Sequence, residues 1–174
     1  VIANGATVTV GYTQSTDSSK LVKDVAGNAV ATTSSNTSVT VTDDTTLPTI
    51  SSVTASSNDD TYKVGDVVNV QVVFSEAVVV NTSGGVPTLK LETGTTDRSV
   101  SYASGSESNT LVFAYTVQAG DNSGDLDYAS TSALVLNSGT IKDLAGNTAT
   151  ITLNDPSSNS TTNSIADTKA IVID

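Results

Sequence analysis

The stretch VVNVQVVFSEAVVV runs from Val67 to Val80, and its spacing decides the fold. Val68, Val70, Val72 and Phe74 share one parity, with Asn69, Gln71 and Ser75 on the other. A period of two with β-branched residues describes a strand that buries one face. The stretch NTLVFAYTV repeats the pattern, with Leu111, Phe113, Tyr115 and Val117 as its inward set. No apolar stripe at helical spacing occurs in the chain. Breaks rich in Gly, Asn, Asp and Ser place the strands at 50–56, 67–80, 87–93, 98–104, 109–118, 131–137, 147–153 and 169–173. Seven or eight short strands in about 125 residues predict an all-β fold, an antiparallel two-sheet immunoglobulin-like sandwich.

Outside this region the chain repeats itself. KDVAGNAV begins at Lys23 and KDLAGNTA at Lys142. NGATVTVGYT, from Asn4, aligns with ESNTLVFAYT, from Glu107, and TSVTVTD, ending at Asp43, aligns with TKAIVID, ending at Asp174. Matches in one order indicate a tandem repeat whose copies differ by insertions in surface loops. Residues 44–174 are expected to form one complete repeat, and 1–43 the closing strands of a preceding, incomplete one. Two or three strands cannot bury a core and leave an edge open. The fragment is therefore expected to pair with strands of a neighbouring molecule or a longer parent chain, or else to be poorly ordered. A chain that opens on valine is itself expected of a piece of something longer.

Composition excludes several classes of partner. Seven basic residues against eighteen acidic ones leave a net charge of −11. That balance argues against nucleic acid and anionic membranes, which demand basic surface. No apolar run approaches the ~18 residues of a membrane span, and no stretch of the sequence is expected to be a signal peptide. The absence of Cys and His removes thiol and Ser–His nucleophilic routes and disfavours zinc. A two-carboxylate glycosidase is formally open, but only five Tyr and two Phe are present and the inward tyrosines read as core. A Lys–Asn cross-link served by Glu92 is disfavoured, since Lys90 and Glu92 share the outward parity of their strand. The chain reads as no enzyme.

YKVGDVVNVQVVFSEAV, LETGTTDRSVSYASGSESNTLVFAYTVQAGD, DLDYASTSALVLNSGTIKDLAGN and KAIVID resemble the bacterial Ig-like repeats of very large exported surface proteins, adhesins and biofilm-associated proteins among them. The likeness covers nearly all of 50–174. It implies a tandem Ig-like module at the bacterial cell surface, serving as an extender or an adhesive element and often rigidified by calcium. Neighbouring repeats would be its partners, in the same or an adjacent chain, with homotypic strand pairing also open to it. The polar stretch NDPSSNSTTNSIAD (154–167) departs from the family's pattern and is expected to be a solvated loop.

The acidic residues are the candidate ligands. Following the strands from pole to pole, the entering linker TDDTTLP, the Glu76 end of FSEAV and the turn KDLAGN fall together. That groups Asp43, Asp44, Glu76 and Asp143. NDD, TTDR and GDNSGDLD fall at the opposite pole, grouping Asp59, Asp60, Asp125, Asp127 and Asp174. KDxAGN reads as a turn in which Asp143 accepts amides and Gly146 takes positive φ; Asp143 and its counterpart Asp24 are open to a cation as well. Glu76 has inward parity, and an unpaired carboxylate in a core is costly. It is therefore expected at the rim, as a ligand beside Asp43 or Asp44, as a frayed strand end, or paired with Lys142. Asp125 and Asp127 lie two apart in extended chain and repel without a cation, a base or water between them. Calcium, which takes six to eight oxygens, suits such clusters; a solvated acidic loop is the other reading.

Overall fold

The structure, a computed structural model, describes residues 7–10, 37–40, 44–156 and 163–174. The chain divides into two units, Val1–Asp44 and Thr45–Asp174. In the first, β1 (Thr7–Val10) pairs antiparallel with β2 (Thr37–Thr40), Thr7 opposite Thr40. Asp24, Asp43 and the completion of this unit by other strands lie outside the described residues.

The second unit is built on β5 (Val67–Asn81), in which Val68, Val70, Val72, Phe74 and Val78 are buried. One edge of β5 pairs with β8 (Ser108–Thr116). The other pairs first with β3 (Ile50–Ala55), then with β11 (Thr140–Asp143). Beyond β8 come β7 (Arg98–Ser104), β6 (Thr88–Glu92) and β10 (Leu134–Val135), with β9 (Asp127–Tyr128) also on β6. β7 joins both halves, since Arg98–Ser101 pair with β6 and Tyr102 and Ser104 with β8. The result is one curled antiparallel sheet around a core of Val, Leu, Ile, Phe and Tyr. Two parallel strands close one pole: β4 (Asp60–Tyr62) and β12 (Ile171–Ile173).

Most strands lie where the alternation puts them, but β4 and β9 fall in stretches read as turn and loop, and two expected strands differ. The span 147–153 holds isolated bridges at Thr148 and Thr150, and the strand is instead 140–143, on the other side of the Asp143–Asn147 turn. Of 131–137 only Leu134 and Val135 are strand. At the end of the polar stretch, Ser164 caps the single-turn helix α1 (Ile165–Thr168). Ile165 is fully buried there, so this part is anchored rather than solvated.

A buried carboxylate ties the curled halves together. Asp121 is 5% exposed. Its Oδ1 accepts from Arg98 Nε at 2.7 Å, and its Oδ2 accepts from the Tyr115 hydroxyl at 2.7 Å and the Gln118 amide at 3.0 Å. Burial alone would raise its pKa, but the Tyr115 hydroxyl, the Gln118 amide and Arg98 outweigh it and hold the carboxyl below its ordinary value. The same burial, reinforced by Asp121, pushes the Tyr115 hydroxyl up.

Breaking a buried pair leaves an uncompensated charge. Asp121→Asn, which strands Arg98, is expected to cost about 3 kcal/mol, a fall of roughly 10 °C in the thermal midpoint for a domain of this size. Because the carboxyl is depressed in the folded state, its stabilisation holds above the unfolded pKa and is lost as pH falls through the folded one. Urea melts across the acid range check both: the variant lacks that acid-side loss.

Candidate metal centre

Three carboxylates far apart in sequence meet at the pole where the chain enters the second unit. One oxygen each from Asp44, Glu76 and Asp143 lie within 4.8 Å of one another. Among the described residues no other group of three or more His, Cys, Asp or Glu does so.

Each is brought there by the sheet. Glu76 keeps the inward parity of β5 and is half-buried. It sits where β5 passes from β3 to β11, and the register against β8 shifts between Val73 and Val78. Just before it, the Ser75 amide donates to the Thr49 carbonyl at 2.8 Å and Ser75 Oγ accepts from the Thr49 amide at 3.0 Å. Those bonds bring the segment carrying Asp44 alongside. Asp143 ends β11 opposite Val78.

The turn behind Asp143 fixes its side chain. Oδ1 accepts from the Gly146 amide at 2.6 Å and the Asn147 amide at 2.8 Å, and Oδ2 accepts from Asn147 Nδ2 at 2.7 Å. Gly146 has φ of 100°, a conformation that favours glycine. Burial pushes the carboxyl up, but the donors from Asn147, Gly146 and Ala145 outweigh it and keep its pKa below the usual value. The KDLAGN motif is thus a turn that presents an ionised carboxylate. Three hard oxygen donors suit calcium or magnesium rather than zinc.

The opposite pole gathers its acids differently. Asp59 Oδ1 accepts from the Ala170 amide at 3.3 Å, and Asp60 Oδ1 from the Thr61 amide at 2.8 Å. Asp174 donates its amide to the Tyr62 carbonyl at 3.0 Å. Asp127 Oδ1 accepts from the amides of Tyr128, at 2.8 Å, and Ile165, at 3.2 Å, while its Oδ2 is buried without a hydrogen-bond partner among the described residues. Burial raises the Asp127 pKa against those bonds. Asp125 is raised by burial, then by the charges of Asp127 and Asp167. The Tyr128 hydroxyl is pushed up to about 12 by burial and the negative charge of Asp127, Asp167 and Asp155.

Sequence reasoning missed the contact of Arg98 with Asp121 of the GDNSGDLD loop, 23 positions away in the chain. It also missed the pair between Lys90 Nζ and Asp97 Oδ2 at 2.7 Å. Both cross a strand turn, so spacing along the chain carried no signal for them. Asp167, which joins the field on Asp125, was passed over because its segment read as solvent.

Compared with protein-family models, with curated proteins and with solved structures, the chain matches none.

The raised carboxyls at this pole set a pH trend in chelator. Folding with Asp125 and Asp127 charged costs free energy, fully above their folded pKa values and not once they are protonated. Stability is therefore expected to rise as pH falls from neutral toward the carboxylate range. Asp127→Asn, neutral throughout, should remove much of that rise in urea melts; an unchanged slope would assign the trend to other groups. On the alkaline side, the stability held by neutral Tyr128 is lost as pH climbs from ~10, its ordinary pKa, toward the folded value.

Proposed function

We propose that residues 44–174 are a non-catalytic extender module, an Ig-like sandwich repeated in tandem within a large bacterial cell-surface adhesin or fibre. In this reading a calcium ion is held by Asp44, Glu76 and Asp143. The convergence of those three carboxylates at the pole where the chain enters supports it most directly. Carboxylates this close repel, and a divalent cation turns repulsion into attraction. Calcium completes its six to eight oxygens from bidentate carboxylates, nearby carbonyls and water. The ion would fix the segment before β3 to the rim of the sheet, which suits a protein whose work is to hold direction along a string of repeats.

Adhesion to a glycan, a surface or another copy is the second function open to such a module, and the two separate experimentally. The extender reading expects no saturable binding on a glycan array and a calcium-dependent thermal midpoint. For a site of ~0.1 mM affinity, ~1 mM calcium adds about 1.4 kcal/mol by mass action, raising the midpoint by roughly 5 °C. Magnesium, which demands a tighter octahedral shell, adds much less. Glu76→Gln loses the calcium increment. Identical melts in calcium, magnesium and chelator at matched ionic strength would overturn the cation, and saturable glycan binding would favour adhesion.

A further inference from the structure

Among the described residues, every strand contact in the second unit is antiparallel except two, and each of these joins an early segment to a late one. Thr49 forms a parallel bridge with Thr150, and β4 pairs in parallel with β12. A parallel contact joins an early segment to a late one running the same way. The early segment's leading end and the late segment's trailing end then point in opposite directions, so tension between the chain ends slides one past the other. Interstrand hydrogen bonds lie across the strands. Sliding loads a whole ladder at once, whereas pulling strands apart sideways opens it bond by bond.

β12 is gripped on both edges. On one, it registers Ile171–Asp60, Val172–Thr61 and Ile173–Tyr62, and the Asp174 amide reaches the Tyr62 carbonyl at 3.0 Å. On the other, Ser123 and Ile173 exchange amide-to-carbonyl bonds of 3.0 and 2.8 Å, and the Leu126 amide donates to the Ile171 carbonyl at 2.8 Å. Ile171 and Ile173 are fully buried, so sliding must also draw two side chains from the core. At the other pole the Ser75 amide holds the Thr49 carbonyl and the Thr150 amide holds the Pro48 carbonyl, each at 2.8 Å.

We propose that β12, held between β4 and the Ser123–Leu126 segment, is a mechanical clamp that bears tension applied between the start of this unit and Asp174. This rests on the extender reading, in which such tension arises; the clamp's strength is measurable whether or not that reading holds.

The chain has no cysteine, so introduced thiols define the pulling points. In the full chain, handles at Thr45→Cys and Asp174→Cys load the clamp in shear, and handles at Thr61→Cys and Asp174→Cys peel β12 from β4. All three positions are exposed. Single-molecule pulling at one loading rate is expected to give a first rupture at least about twofold stronger in shear than in peeling, because several bonds must fail together. Alternation along β12 turns the Val172 amide toward β4, so Val172→Pro should bring the shear force down toward the peeling force. Ile141→Val, a core trim in β11, should lower the thermal midpoint and leave the shear force unchanged. Equal forces in the two geometries would overturn the clamp, as would a shear force that falls as far in Ile141→Val as in Val172→Pro. If Val172→Pro does not fold, the comparison of geometries decides alone.

Discussion

A strand of fifteen residues with one face buried must satisfy its backbone groups along both edges, and β5 imposes that demand on everything around it. β8 meets it on one side. No single strand meets it on the other: β3 covers Val70 to Phe74 and β11 covers Val78 to Asn81. Between them lies a short handover at Ser75–Ala77, bridged by the Thr49 carbonyl. The entering segment and the Asp143 turn must both come to this spot, one to begin β3 and the other to end β11. The acidic cluster is a consequence of that handover. Glu76 stands in it because the inward parity of β5 continues through the gap.

The chain carries far more acid than base, and the fold treats its carboxylates in three ways. Asp121 and Asp143 are buried but surrounded by donors, so each is held ionised at a pKa below the ordinary one. Asp127 is half-buried with its Oδ2 left without a donor among the described residues, and Asp125 lies beside the charges of Asp127 and Asp167; both pKa values rise. Most others among the described residues face water, where charge costs little. Lys90 and Asp97 form a partly exposed pair, of a kind worth about 0–1 kcal/mol. The poles are therefore electrostatically distinct. One presents Asp143, kept charged by its turn; the other holds Asp125 and Asp127, which resist being charged.

What was legible in the sequence follows from how local each signal is. β5, β7 and β8 stand in the alternation because burial on one face writes itself every second residue. The convergence of Glu76 and Asp143 with the entering linker could be reasoned from parity and pole order; Asp43 lies outside the described residues. The pairing of β4 with β12 joins residues 60–62 to 171–173 and leaves no pattern in either. The Arg98–Asp121 bond likewise depends on two turns lying side by side. α1 was hidden because Ile165 is a lone apolar residue in a polar run. The strand expected at 147–153 failed because Asn147 belongs to the turn, and the residues after it make bridges, not a ladder.

The turn read from KDLAGN and the cation proposed beside it are compatible arrangements rather than rivals. A flexible aspartate would have to be ordered before it could hold an ion, at a cost in side-chain entropy. Asp143 has already met that cost, since two amides fix Oδ1 and the Asn147 side chain fixes Oδ2. The same donors keep it ionised without a cation. Glu76 is carried by β5 next to Ser75, whose amide is held by the Thr49 carbonyl. Asp44 differs: it is exposed and belongs to no strand. A cation in this cluster would find Asp143 already oriented by its turn and Glu76 carried on β5. Bound there, it would tie the segment that leads into β3 to the rim of the sheet.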